Sequence, residues 1–375
     1  MMDRKQLNYA LARLFKGKAF IVFGPRQTGK TTFVEQLLQK VNKKTLYLNG
    51  DDADVRENLA KPNAIRIRQL ISDYEVLFID EAQRIHEIGL FIKIIVDRFK
   101  NVQVIATGSS AFELSGKINE PLTGRKYEMM LLPFSYAELV NHTDFLTEER
   151  SLEQRLIYGS YPEVINNPIH AEEHLKLLTD SYLYKDLFAL EEVKKPLLFE
   201  KIVKALALQI GSEVNFSELA QLVKADQKTI EKYVSLLEKS FVVFTLPAFS
   251  GNVWNEIKKN KKIYFYDTGI VNAITRNFNP IANRSDVTAL FENYMIAERM
   301  KYLHQRQMEA DVFFWRTTQQ QEIDYIEKTN ERLLAVEFKW NERGKTRIPV
   351  TYTKAYPQSK TLVVDKAQRS IFLNE

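Results

Sequence analysis

Five short apolar runs, Ala19–Phe23, Thr45–Leu48, Val76–Ile79, Val102–Ala106 and Tyr127–Leu132, alternate with amphipathic stretches in the first third of the chain. Runs this short and this apolar suit strands buried on both faces of a parallel sheet. A helix over Phe33–Val41 is predicted after the first of them. Between about Glu148 and Gly211 the period turns helical, with Leu175, Leu178, Tyr182 and Leu183 recurring at three- and four-residue spacing. Asn215–Val223 and Asp226–Ser240 predict two helices joined by a tight turn, opened by the capping residues Asn215 and Asp226, before a strand at Phe241–Thr245. That order predicts a winged helix. A helix over Ala289–His304 and strands at Val312–Trp315, Glu322–Ile326, Leu333–Phe338 and Thr361–Val364 complete a third, α/β unit. The domains predicted are residues 1–140, 141–275 and 276–375.

Composition changes this picture little. The 375 residues include 53 Lys and Arg against 48 Asp and Glu, a formal charge of +5, so any preference for anionic partners must come from local patches. There is no cysteine, which excludes disulfides and thiolate metal sites. Met1–Lys18 is charged, and no apolar run approaches a bilayer-spanning length, so a cytoplasmic protein with no membrane partner is expected.

The chemistry is concentrated at Gly24-Pro25-Arg26-Gln27-Thr28-Gly29-Lys30-Thr31-Thr32, which follows one predicted strand and opens a predicted helix. Glycines there let backbone N–H groups turn inwards around phosphate oxygens, and the helix N-terminus adds a favourable dipole. Lys30 would contact the β- and γ-phosphates of ATP and the Thr31 hydroxyl would hold Mg²⁺. The strand Val76–Ile79 ends in Asp80 and Glu81, which would hold Mg²⁺ and activate the attacking water. Thr107 or Ser109, at the end of the next strand, is the candidate for positioning that water, and Arg125 the candidate for stabilising transition-state charge within its own subunit or across a subunit interface of a homo-oligomer.

With Thr45–Leu48 inserted between the two motifs, the chain resembles the AAA+ branch of P-loop ATPases. It further resembles bacterial and archaeal ATP-binding proteins with a helical and winged-helix middle and a C-terminal restriction-endonuclease-like domain. The resemblance also rests on Asp80-Glu-Ala-Gln83, Thr107-Gly-Ser-Ser110, Leu122-Thr-Gly-Arg125, Pro133-Phe-Ser, Gly159-Ser-Tyr-Pro-Glu163, Asp267-Thr-Gly269 and Phe291-Glu-Asn293. It implies an α/β architecture and ATPase activity. Asp324 and Glu337-Phe-Lys339 resemble the metal site of the PD-(D/E)XK nucleases, where carboxylates bind Mg²⁺ and the lysine orients water; Glu292 is the candidate additional acid. Glu-x-Lys occurs three times, at Glu192, Glu256 and Glu337, and only the third follows an acidic strand.

The predicted helix Asp226–Ser240 balances Lys228, Lys232 and Lys239 against Asp226, Glu231 and Glu238, whereas Lys258-Lys-Asn-Lys-Lys262 would lie near a wing tip and contact a nucleic-acid backbone. The leading expectation is a Mg²⁺-dependent ATPase coupled to a C-terminal module that binds or cleaves DNA or another nucleic acid. The alternative is a nucleotide-dependent switch or scaffold that binds a protein and carries an inactive nuclease fold.

Overall fold

Strand β1 (Ala19–Phe23) is buried along its whole length, as a strand covered on both faces must be. In the computed structural model, which describes residues 2–108, 121–181, 187, 193–249, 261–341 and 348–374, it belongs to a five-stranded sheet with β2 (Thr45–Asn49), β3 (Val76–Asp80), β4 (Gln103–Gly108) and β5 (Lys126–Met130). All pairings are parallel and the order is β2-β3-β4-β1-β5. All five strands match the apolar runs to within two residues at each end. The order matters for the site: β4 lies between β1, which leads into the glycine-rich loop, and β3, which ends in Asp80. Helix α1 (Lys30–Val41) packs Phe33, Val34 and Leu37 into a core with Phe20, Val22, Phe78, Ile105 and Leu131.

The chain divides into two compact units, residues 1–133 with 239–241, and residues 134–238 with 242–375. The boundary expected at 275/276 therefore falls inside the second unit. That unit opens with short helices between Tyr136 and Leu178, where Leu175 and Leu178 are buried as their spacing predicts; Tyr182 and Leu183 lie outside the described residues. Helix α2 (Pro196–Leu208), β6 (Glu213–Val214), α3 (Phe216–Val223), α4 (Gln227–Lys239), β7 (Val243–Pro247) and β8 (Lys261–Phe265) follow, with α3, α4 and β7 in the predicted order and β6 and β8 not foreseen, and the three strands form a small sheet in the order β6-β8-β7. Asn215 accepts the N–H groups of Ser217 and Glu218, and Asp226 that of Thr229, so both predicted caps form.

Beyond these, α5 (Val287–Arg306) precedes a four-stranded sheet of β9 (Asp311–Arg316), β10 (Glu322–Lys328), β11 (Leu333–Lys339) and β12 (Lys360–Asp365), with α6 (Val350–Ala355) between the last two. β9, β10 and β11 are antiparallel neighbours and β12 runs parallel to β11. Phe313, Trp315, Ile323, Ile326, Ala335 and Tyr352 form its core with Phe249. Among the described residues no helix is long and apolar enough to cross a membrane.

Candidate nucleotide site and a second carboxylate cluster

Gly24 follows β1 with φ +152°, and a Cβ there would stand 2.0 Å from the Leu131 carbonyl oxygen, so only glycine lets the loop leave the sheet on this path. The loop closes on itself: the Thr28 hydroxyl donates to the Pro25 carbonyl at 2.9 Å, and the Lys30 ammonium donates to the carbonyls of Gly24 and Pro25 at 3.0 and 2.7 Å. Lys30 is buried, and burial pushes its ammonium down to about 8 against the opposing pull of Glu81 and Asp80. Arg26, Gln27, Gly29 and Thr32 are half-buried or exposed around the loop, with Gln27 in the left-handed region at φ 58°.

Across the loop, the Thr31 hydroxyl donates to Asp80 Oδ2 at 2.8 Å. Two hard oxygen donors on facing elements thus meet at the mouth of the loop, the donor type a magnesium ion takes. Tyr47 on β2 donates to the same oxygen at 3.3 Å, and the Thr107 hydroxyl donates to Asp80 Oδ1 while accepting the Glu81 N–H at 3.3 Å. Of the two candidates at the end of β4, Thr107 is therefore at the site; Ser109 lies outside the described residues. Glu81 departs from the strand in the left-handed conformation, φ 47° and ψ 43°, and its Oε2 accepts from Gln83 Nε2 at 2.5 Å. Gly50, just past β2, donates its N–H to the Asp80 carbonyl at 2.8 Å, and a Cβ on it would lie 2.3 Å from the Glu81 carbonyl oxygen.

Arg125 is not brought to this site. Its carbonyl accepts the N–H of Ala19, at the start of β1, whereas the loop leaves the end of that strand. Five strand residues separate the two levels by about 16 Å, and the guanidinium donates to Asp97 at 2.7 Å. Of the two roles left open for Arg125, the one within its own subunit does not fit this placement. Sequence reading missed Tyr47, Gly50 and Arg4. The buried Arg4 donates to the carbonyls of Leu132, at 3.0 Å, and Thr28, and a lone arginine in a charged segment carries no signal of that.

In the second unit Glu292, Asp324, Glu337 and Lys339 do come together, and three further residues, Lys262, Tyr264 and Glu322, join them. Asp324 sits where the pairing of β9 with β10 shifts between Ile323 and Ile326, a bulge that re-aims side chains. Its Oδ2 accepts the Phe338 N–H at 2.9 Å. Glu337 pairs with Lys339 at 2.8 Å. The ammonium of Lys262, 1% exposed, lies 3.1 Å from Glu292 Oε1 and 3.9 Å from Asp324 Oδ1, and also pairs with Glu322. Tyr264 donates to Glu292 Oε1 at 2.5 Å. Burial pushes the Glu292 carboxyl up to about 8 and raises those of Asp324 and Glu337. Among the described residues no group of three His, Cys, Asp or Glu side chains is placed to hold a metal ion. The expectation that Lys262 contacts a nucleic-acid backbone is corrected, because its charge is spent inside the unit; residues 258–260, with Glu256 and Glu192, lie outside the described residues.

Three family models match successive parts of the chain. Residues 16–140 match an AAA domain, residues 149–280 a domain of unknown function (DUF8612) and residues 287–375 another (DUF4143). The chain is 24% identical over 372 residues to the uncharacterized protein MJ1544 of Methanocaldococcus jannaschii, covering 93% of this chain and 81% of that one. It is 25% identical to an uncharacterized protein of Haemophilus influenzae, covering 86% and 83%. Among solved structures it is similar to the Thermotoga maritima RuvB Holliday junction branch migration motor, at 15% identity and a TM-score of 0.34 over 66% of this chain and 90% of that one. The N-terminal part is thus an AAA-type P-loop domain, a fold that implies nucleotide binding.

Proposed function

We propose that this protein is a Mg²⁺-dependent ATPase whose nucleotide cycle is coupled to nucleic-acid binding by its second unit. The observation that carries the ATPase half is the meeting of Thr31 and Asp80 beside Lys30, with Glu81 one residue further on. In this reading the loop N–H groups and Lys30 hold the phosphates, and Thr31 and Asp80 hold the magnesium ion, which when bound neutralises phosphate charge. Glu81, held by Gln83, accepts the proton of the attacking water. Thr107 fixes the Asp80 carboxylate through its other oxygen. The nucleic-acid half is supported by the order of β6, α3, α4, β7 and β8, which is that of a winged helix.

Purified protein with Mg²⁺ and ATP tests both halves. Lys30→Ala is expected to lose ATP binding, and Glu81→Gln to keep binding while hydrolysis drops by about a hundredfold or more. Undiminished turnover in Glu81→Gln would remove Glu81 from its role. Absence of any ATP-dependent shift in oligonucleotide affinity would remove the nucleic-acid half. The second reading, a nucleotide-dependent protein-binding switch, is favoured by the lack of three metal-placed carboxylates among the described residues of the nuclease-like cluster. Partner-stimulated turnover without oligonucleotide binding would select it.

A further inference from the structure

The carboxylates that resemble a nuclease metal site face a cation supplied by the chain itself. Lys262 is the second residue of β8, and its side chain is 1% exposed. Glu292 from α5 and Glu322 and Asp324 from β10 face its ammonium. Of the oxygens a metal would need, Glu292 Oε1 already accepts from Lys262 and Tyr264, and Asp324 Oδ2 accepts a backbone N–H. Glu322 is shared with Arg316 at 3.7 Å, and Glu337 is drawn to Lys339.

A magnesium ion takes oxygen ligands at about 2.0–2.1 Å in near-octahedral geometry. Drawn up against these carboxylates, it would stand within roughly 4 Å of a buried ammonium, where like charges in a low dielectric repel strongly. The metal and the charged lysine exclude one another.

We infer that Lys262 is the resident cation of this cluster, standing in place of the divalent ion, so that the carboxylates tie β8 to α5 and β10 and do not support metal-dependent phosphodiester cleavage. The inference goes beyond the ATPase reading and needs no nucleotide. It accounts for four acidic side chains gathered in one interior: three face a fixed positive charge and the fourth has its own lysine.

The full chain, free of nucleotide, is titrated with Mn²⁺ as the probe, bound ion being counted by electron paramagnetic resonance and unfolding followed by near-ultraviolet circular dichroism. Wild type and Asp324→Asn are expected to bind the same number of ions. Lys262→Gln is expected to gain one, with a Tm that rises on adding Mn²⁺, and Lys262→Gln/Asp324→Asn to lose that gain. An ion bound by wild type and lost in Asp324→Asn would overturn the inference. So would folded Lys262→Gln that gains no ion. Should Lys262→Gln fail to fold, the first pair decides alone: equal binding supports the inference and loss overturns it. Because ATP is absent throughout, failure here is distinct from failure of the ATPase reading.

Discussion

Lys30 is the residue whose chemistry is most exposed to test. Its ammonium is buried against two carbonyls and titrates near 8 because burial outweighs the attraction of Glu81 and Asp80. Bound phosphate favours the charged form, so above pH 8 binding must take up a proton. ATP affinity without magnesium is therefore expected to fall about eightfold between pH 7.5 and 9, measured by equilibrium titration; a flat profile would show that the lysine keeps its charge in the empty loop. Lys30, Thr31, Asp80 and Glu81 were all legible as types at known spacing. The reach of Thr107 to Asp80 was half legible: a hydroxyl at the end of β4 was foreseen, but its partner depends on strand order. Tyr47 was not, since an exposed tyrosine on an apolar run has no signature until β2 is seen pairing beside β3.

At the scale of elements, the site is made where strands stop. Glu81 turns out of β3 in a left-handed conformation that costs on the order of 1 kcal/mol for a residue with a side chain. The turn is possible because Gly50, past the neighbouring strand, leaves room for the Glu81 carbonyl. Gly50→Ala is expected to displace that strand end and lower the hydrolytic rate by about a hundredfold through misplacement of Glu81. ATP affinity, measured in parallel, is expected to hold because Lys30 and the loop are on α1 and β1. Equal losses in rate and affinity would show that the whole sheet edge has shifted instead. The same logic of ends separates Arg125 from the site: strand polarity puts the start of β5 and the end of β1 at opposite ends of the paired strands.

At the scale of the whole molecule, residues of the motifs that carry the family resemblance serve with other buried charges as internal ties of the second unit. Asp267 accepts the N–H groups of Ser160 and Gly269. Lys301 donates to Phe134, Ser160 and Glu298, and Asn293 pairs with both backbone groups of Phe265. Arg299 and Glu327, both fully buried, form a bidentate pair at 2.7 and 2.9 Å, joined by Tyr325 and Arg332. Burial pushes the Glu327 carboxyl up, but Arg299 outweighs it and the net shift is downward. A depressed carboxylate contributes stability that is present above the ordinary glutamate value of 4.5 and is lost as pH falls through the folded value. Glu327→Ala is expected to cost about 3–5 kcal/mol, by leaving Arg299 buried and uncompensated. It should also flatten the acid limb of denaturant-unfolding stability below pH 4.5. A loss under 1 kcal/mol would mean that water reaches the arginine.

The sequence by itself determined most of the elements and the glycine-rich loop, because strand burial, helix caps and that loop are local patterns written over a few consecutive residues. Ala19–Phe23, Gly24–Thr31 and Val76–Glu81 could be read without any partner. Only the tertiary structure decided what depends on which element lies beside which: Thr107 next to Asp80, Arg125 at the end of the sheet opposite the loop, and Lys262 among the carboxylates. A lysine in a run of lysines reads as a solvated charge. Pairing of β8 beside β6 and β7, against α5 and β10, turns that one residue inwards, where three neighbouring lysines of the same run gave no means of telling it apart.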